Sequence, residues 1–236
     1  MILPLPPAAD RLVLRNGNAT FPESRCVQPE ILDGLAQDSP AARASRRDLH
    51  QINRLMDNAA WFGRVLCERR RAFEEILELG AGTGELGRAL GARGLEPAGL
   101  DLCNRPSGWP PAMRWFQTDV LAFTAWAGFP VVIGNLFFHH FNREQLADIG
   151  VQLGLHARLI VASEPVRRQR TQWLFSLACR LIRAHPVTRH DGRVSIAAGF
   201  SGDELPRLLL LDPALWTWRV RETWRGASRL VAERRP

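Results

Sequence analysis

From Glu74 onward the chain alternates short aliphatic runs with stretches of helical period, and this alternation restricts the fold more than any other feature of the sequence. Strands are expected at "EEILEL", "PAGLDL", "MRWFQ", "PVVIGNL" and "ARLIVAS", with helices between most of them, the pattern of a parallel sheet covered by helices. The last two runs differ. "WTWRVRETW" and "SRLVAERR" alternate apolar with polar residues across a short Gly-Ala turn, so they are expected to pair as an antiparallel hairpin at the sheet edge.

Ahead of Glu74 the period is helical. Leu49, Ile52, Leu55, Met56, Ala59, Phe62, Val65 and Leu66 recur at three- and four-residue spacing behind Ser45, an acceptable N-cap. The expected organisation is an N-terminal segment with a helical cap over residues 1–73 and a sheet domain over 74–236, one domain with an appendage. The first 25 residues are too irregular to place.

Charge narrows the partners. All 31 basic residues are arginine, and the sequence has neither lysine nor tyrosine, usage that fits a GC-rich genome. Met1 to Pro165 carries 17 Arg against 18 acids, net −1, whereas Val166 to Pro236 carries 14 against 6, net +8. A solvated basic face accounts for this, with an anionic partner as the alternative. Specific nucleic-acid recognition is not expected, because these arginines do not cluster with stacking aromatics. Cys26, Cys67, Cys103 and Cys179 form no C-x-x-C, which fits a reducing cytoplasm. The opening "MILPLPPAA" lacks a basic region and is broken by prolines, and the apolar stretch Ala127 to Phe138 is too short to span a bilayer.

The first strand runs into "ILELGAGTGELG". A glycine turn there lets backbone approach a ligand, while the following helix offers free N–H groups. Gly82, Gly84 and Gly87 spell G-x-G-x-x-G, the dinucleotide fingerprint; Glu78, Gly80, Gly82 and Gly84 spell E-x-G-x-G-x-G, the turn that holds S-adenosylmethionine. Glu78 favours the second pattern, since an acid within the strand serves the zwitterionic amino-acid end of that cofactor and has no use beside a pyrophosphate. Asp101, 17 positions after Gly84, suits a ribose in either reading. Asp119, expected to end the third strand in "FQTDV", is placed to accept an adenine amine.

In this order the motifs resemble the class I S-adenosylmethionine-dependent methyltransferases, from Glu74 to the C-terminus. The resemblance implies an α/β fold: a doubly wound, mostly parallel, seven-stranded Rossmann-like sheet in order 3-2-1-4-5-7-6 with an antiparallel edge hairpin. It also implies S-adenosyl-L-methionine as cofactor. "RRDLHQINRLM", "NLFFHHF", "SEPVR" and "VTRHDGRVSI" look like a bacterial small-molecule subgroup of secondary metabolism, similar to the ubiquinone-type methyltransferases and to those encoded beside type III polyketide synthases. That likeness implies an O- or C-methyl acceptor on a hydrophobic or aromatic natural product. An NAD-dependent oxidoreductase and an RNA-directed protein of the same fold are the alternatives.

On the acceptor side, His139 and His140 follow the fourth strand at the switch-point side of such a sheet, where a histidine can act as base or simply shape the pocket floor. Asn135 suits a hydrogen bond to cofactor or substrate, or tidies a turn. Glu164 and Arg167 after the fifth strand, and His190 and Asp191 in an expected loop, are candidate substrate contacts, although consecutive loop residues often only form a turn. No H-x-x-H or H-E-x-x-H occurs, so no metal is expected. "VRRQRTQWLFSLACRLIR" places Val166, Trp173, Leu174, Leu177, Ala178, Leu181 and Ile182 near one face. A core-facing helix is expected there, with weak membrane-surface contact as the alternative.

Overall fold

Ser39 opens the first helix. Its hydroxyl accepts from the Ala42 amide and Pro40 supplies a preset first position, so α1 runs Pro40–Met56. The expected cap, Ser45, instead lies buried inside α1, where its hydroxyl oxygen accepts from Thr188. Nor is there one continuous helix: Asp57, at φ 56°, turns the chain and α2 begins at Asn58, running Asn58–Arg69. The apolar period passes through this break undisturbed, which is why periodicity alone did not reveal it. The computed structural model describes residues 21–36, 38–71 and 74–236. The expected boundary between 73 and 74 falls beside residues 72–73, outside the described residues, as do the first 20 residues of the N-terminal segment.

The sheet follows as β1 (Ile76–Leu79), α3 (Glu85–Gly91), β2 (Ala98–Asp101), β3 (Trp115–Gln117), β4 (Val131–Asn135), α4 (Arg143–His156) and β5 (Leu159–Pro165). Then come α5 (Gln169–Leu181), α6 (Pro186–Ala198), α7 (Glu204–Leu208), β6 (Trp216–Glu222) and β7 (Ala227–Arg234). The seven strands lie in the order β3-β2-β1-β4-β5-β7-β6. Strands β1 to β5 pair in parallel, and β7 returns antiparallel against both β5 and β6, as the terminal hairpin leads one to expect. Aliphatic runs buried on both faces suit the parallel part, and the alternating β6 suits an edge.

Strand alternation sorts the core into two layers. Leu77 and Leu79 point into one with Phe138, Leu146 and Ile160, whereas Ile76 points into the other with Phe62 and Leu66 of α2 and Leu86 and Leu90 of α3. Glu78 alternates with Leu77 and Leu79 and so shares the face of Ile76.

Three expectations change here. Asp119 lies two residues past β3, exposed, and caps a short 3-10 turn by accepting from the Leu121 amide. His190 and Asp191 belong to α6 and not to a loop. Helix α5 buries Thr171 and Cys179, while Trp173 and Leu181 are 74% and 76% exposed and Leu174 and Leu177 are also exposed. Its inner face is set by α6. A Cβ at Gly192 would lie 2.0 Å from the Phe175 ring, so the two helices meet on that side and leave the Trp173 stripe in solvent.

Candidate active site

The turn after β1 is built from left-handed glycines. Gly80, Gly82 and Gly84 have φ of 64°, 52° and 74°, a region that costs side chains with a Cβ about 1 to 2 kcal/mol. Their surroundings differ. A Cβ on Gly80 would strike the Phe137 ring at 2.3 Å and one on Gly84 would strike Trp109 at 2.7 Å, whereas at Gly82 the nearest atom is the Gly80 carbonyl oxygen at 3.9 Å. Gly82 thus faces open space at the carboxyl end of β1. Gly87, the last glycine of the literal dinucleotide pattern, serves packing: a Cβ there would meet Trp109 at 2.3 Å and the Glu78 carboxylate at 2.8 Å.

Glu78 is buried, and its Oε2 has no hydrogen-bond partner among the described residues. Burial, reinforced by the charge of Asp101, pushes its carboxyl up to about 8. A buried carboxylate oxygen left without a donor is costly unless a ligand supplies one. Asp101 ends β2 and accepts from the Gly82 and Cys103 amides, each at 2.8 Å, so it holds the glycine turn against its neighbour strand.

Asn135 ends β4 and accepts from the Asn58 amide at 2.8 Å. Asn58 also accepts from Ser163 at 3.1 Å, and Arg229 donates to the Met56 carbonyl at 2.8 Å beside it. The break between α1 and α2 is what brings Asn58 to the sheet. Leu136 then takes φ 55°, rare for a leucine, with its amide on the Ser163 carbonyl at 2.8 Å.

That reversal aims the next amides at Glu164. Its fully buried carboxylate accepts from the backbone of Phe137, Phe138 and His139 at 2.9, 3.0 and 3.2 Å, and lies 2.8 Å from His139 Nδ1. The expected passage from strand to helix is therefore a 3-10 turn, Phe138–His140; α4 starts later, capped by a reciprocal Asn142–Gln145 box. His139 is buried and His140 reaches solvent, their rings stacked with centroids 4.2 Å apart.

Residues that sequence reading missed complete this end. The stretch before α1 lies across α6: the Ile31 and Leu32 amides donate to Asp191, both at 2.9 Å, and Ser195 donates to Glu30. This sets Glu30 Oε1 3.5 Å from His139 Nε2, and Asp33 Oδ2 3.8 Å from His140 Nδ1. Burial opposes charge on His139, but its bonds to Glu164 and Glu30 outweigh it and push the imidazole up to about 9. His140 is lowered by burial and by the charge of His139, and Asp33 is pushed up to about 6 by burial and by Glu30 and Asp191. Both Asp33 and His140 feel the charge of Asp101, so the histidine pair lies within electrostatic reach of the carboxylate that holds the glycine turn. No spacing rule ties Glu30 or Asp33 to the histidines, more than a hundred positions away in the chain.

Of the candidate substrate contacts, Glu164 and Asp191 have their carboxylates on backbone amides. Arg167 is buried, donating to the Gly199 carbonyl at 3.3 Å and pairing with Glu204 and the Glu23 carbonyl. His190 bonds Asp191 at 3.0 Å. All four engage neighbouring groups of the protein. Asp119, expected as an adenine contact, stands past β3 as the cap of a short 3-10 turn.

No protein-family model matches the sequence, and no curated protein matches it. Solved structures do. The plantazolicin methyltransferase BpumL in complex with SAH aligns with a TM-score of 0.64 at 11% identity, over 84% of this chain and 92% of that one. The methyltransferase domain of bacterial CtHen1-C gives 0.57 at 13% identity, over 78% of this chain and 100% of that one. Magnesium protoporphyrin IX methyltransferase ChlM from Synechocystis, with bound SAH, gives 0.50 at 14% identity, over 87% and 91%. At these identities the likeness is one of fold, and the chain has the seven-stranded Rossmann-like fold that these methyltransferases share.

Proposed function

We propose that this protein is an S-adenosylmethionine-dependent methyltransferase acting on an oxygen or carbon atom of a small hydrophobic or aromatic acceptor. The observation that carries the reading is the buried Glu78 carboxyl, whose Oε2 has no hydrogen-bond partner among the described residues, in the strand that leads into a glycine turn whose Gly82 opens on free space. A cationic ammonium group beside this acid would favour its ionised form and supply donors to it. Asp101 keeps lone pairs for ribose hydroxyls beyond its two backbone bonds, and we assign Asn135 to the acceptor side and Asp119 to the adenine.

When bound, the cofactor supplies an electrophilic methyl group. The chain's own contribution is to fix the acceptor near that group in a crevice between Gly82 and the His139–His140 turn, and such positioning supplies much of the rate of a displacement reaction. The histidines close the acceptor end. A fold that in BpumL holds SAH together with a desmethylPZN analog supports the small-molecule reading.

Calorimetric titration with S-adenosylhomocysteine and, separately, with NAD tests the proposal. Micromolar binding of the first and none of the second is expected. NAD binding without any response to S-adenosylhomocysteine would overturn it.

A further inference from the structure

We propose that Glu30, His139 and His140 form a site for a divalent transition-metal ion of the zinc class at the acceptor end of the crevice. The ion's part in catalysis rests on the methyl-transfer reading; its binding does not.

One ligand atom from each residue lies within 4.8 Å of the others. Bonds of about 2.0 to 2.2 Å arranged tetrahedrally put ligand atoms roughly 3.4 Å apart, and Glu30 Oε1 and His139 Nε2 already stand 3.5 Å apart. That separation is at the outer limit of a hydrogen bond and also suits two ligand atoms sharing an ion. Closing the remainder requires the exposed His140 ring to turn from its place 3.8 Å from Asp33.

The surroundings are those of a metal ligand set. Glu164 takes the Nδ1 side of His139 at 2.8 Å, the carboxylate–histidine arrangement that turns the other nitrogen toward an ion. Three backbone amides fix Glu164 in turn, and Ser195 holds Glu30. Charge points the same way. Glu30, Asp33 and Glu164 each set a carboxylate oxygen within 3.8 Å of one of the two imidazoles, and the nearby Arg25 guanidinium is turned to the carbonyls of Ala198, His139 and Phe141. A proton on His139 would answer Glu30 alone, while a divalent ion would also engage His140.

Three protein ligands with one side open to solvent leave a position for an oxygen of the acceptor. An acceptor hydroxyl held there ionises more readily and releases its proton to solvent. Its oxygen then forms the new bond to the methyl carbon, and the carbon–sulfur bond breaks with its electron pair remaining on sulfur, leaving a neutral thioether.

The test uses the full chain, stripped with a chelator and titrated with Co²⁺ by absorption, with Zn²⁺ as competitor and S-adenosylhomocysteine calorimetry alongside. Stoichiometric Co²⁺ uptake displaced by Zn²⁺ is expected. Glu30→Gln and His140→Ala should each weaken uptake by at least about tenfold, and Glu164→Gln by roughly 10- to 100-fold through His139. No uptake of either ion by protein that binds S-adenosylhomocysteine overturns the metal site and leaves the methyl-transfer reading standing. Uptake that is unchanged in both Glu30→Gln and His140→Ala overturns it as well. Stoichiometric uptake lost in those variants, in protein that ignores S-adenosylhomocysteine, supports the site and overturns the methyl-transfer reading instead.

Discussion

Glu164 Oε2 lies 2.8 Å from His139 Nδ1, and the same carboxylate accepts the three amides that precede and include that residue. One buried side chain shapes the turn and aims the ring. Glu164→Ala is expected to lower folding stability by about 3 to 5 kcal/mol, because it strands three amides and a buried imidazole. Urea unfolding measures this, and a loss below about 1 kcal/mol would show that the turn holds without its acceptor.

Glu78 sets a dependence of stability on pH. Its carboxyl keeps its proton in the folded chain up to about 8, against an ordinary value of 4.5. Between those values the folded state binds more protons than the unfolded one. The contribution is therefore full at and below the lower value and is lost as pH rises through the higher, by up to about 1.4 kcal/mol per pH unit. Glu78→Gln should flatten this slope; identical slopes in the two proteins would contradict a neutral, buried Glu78.

Cofactor binding should in turn release a proton. An ammonium group beside Glu78 favours the ionised acid, so S-adenosylhomocysteine should bind more tightly as pH rises from about 6 to about 8. Calorimetry in buffers of different ionisation heat detects the proton, and heats independent of buffer would place the ligand's ammonium away from Glu78.

Gly82 and Asp101 should separate space from charge. Gly82→Val fills the open side of the turn and forces a β-branched residue to φ 52°, so binding of S-adenosylhomocysteine should be abolished with the fold retained. Asp101→Ala should weaken binding by roughly 1.5 to 3 kcal/mol per charge-assisted bond lost. Wild-type affinity in both variants would move the pocket elsewhere.

The two faces of α5 should respond in opposite ways. Trp173→Gln, on the exposed stripe, should change stability by less than about 0.5 kcal/mol. Gly192→Ala should cost about 1 to 3 kcal/mol, because its Cβ has no room beside Phe175. Thermal unfolding compares them, and a large loss for Trp173→Gln with none for Gly192→Ala would reverse the packing described.

Much of the fold was legible in the chain itself. Buried parallel strands need unbroken aliphatic runs, an edge hairpin needs alternation, and a backbone that must approach a ligand needs glycine, so "ILELGAG", "VVIGN" and "WTWRVRE" each declare their place. The places of Glu78, Gly82 and Asp101 in the fold were readable for the same reason: they depend on position along one strand and its successor. Periodicity, however, reports that a helix has an apolar stripe and not which stripe meets a neighbour; α5 has two, and only Gly192 on α6 decides between them. It also passes through Asp57, where backbone angles and not hydropathy end α1. The cluster around His139 depended wholly on tertiary structure. Glu30 comes to His139 because distant segments exchange backbone hydrogen bonds with Asp191 and Glu164, and long-range convergence of that kind leaves no local spacing to read.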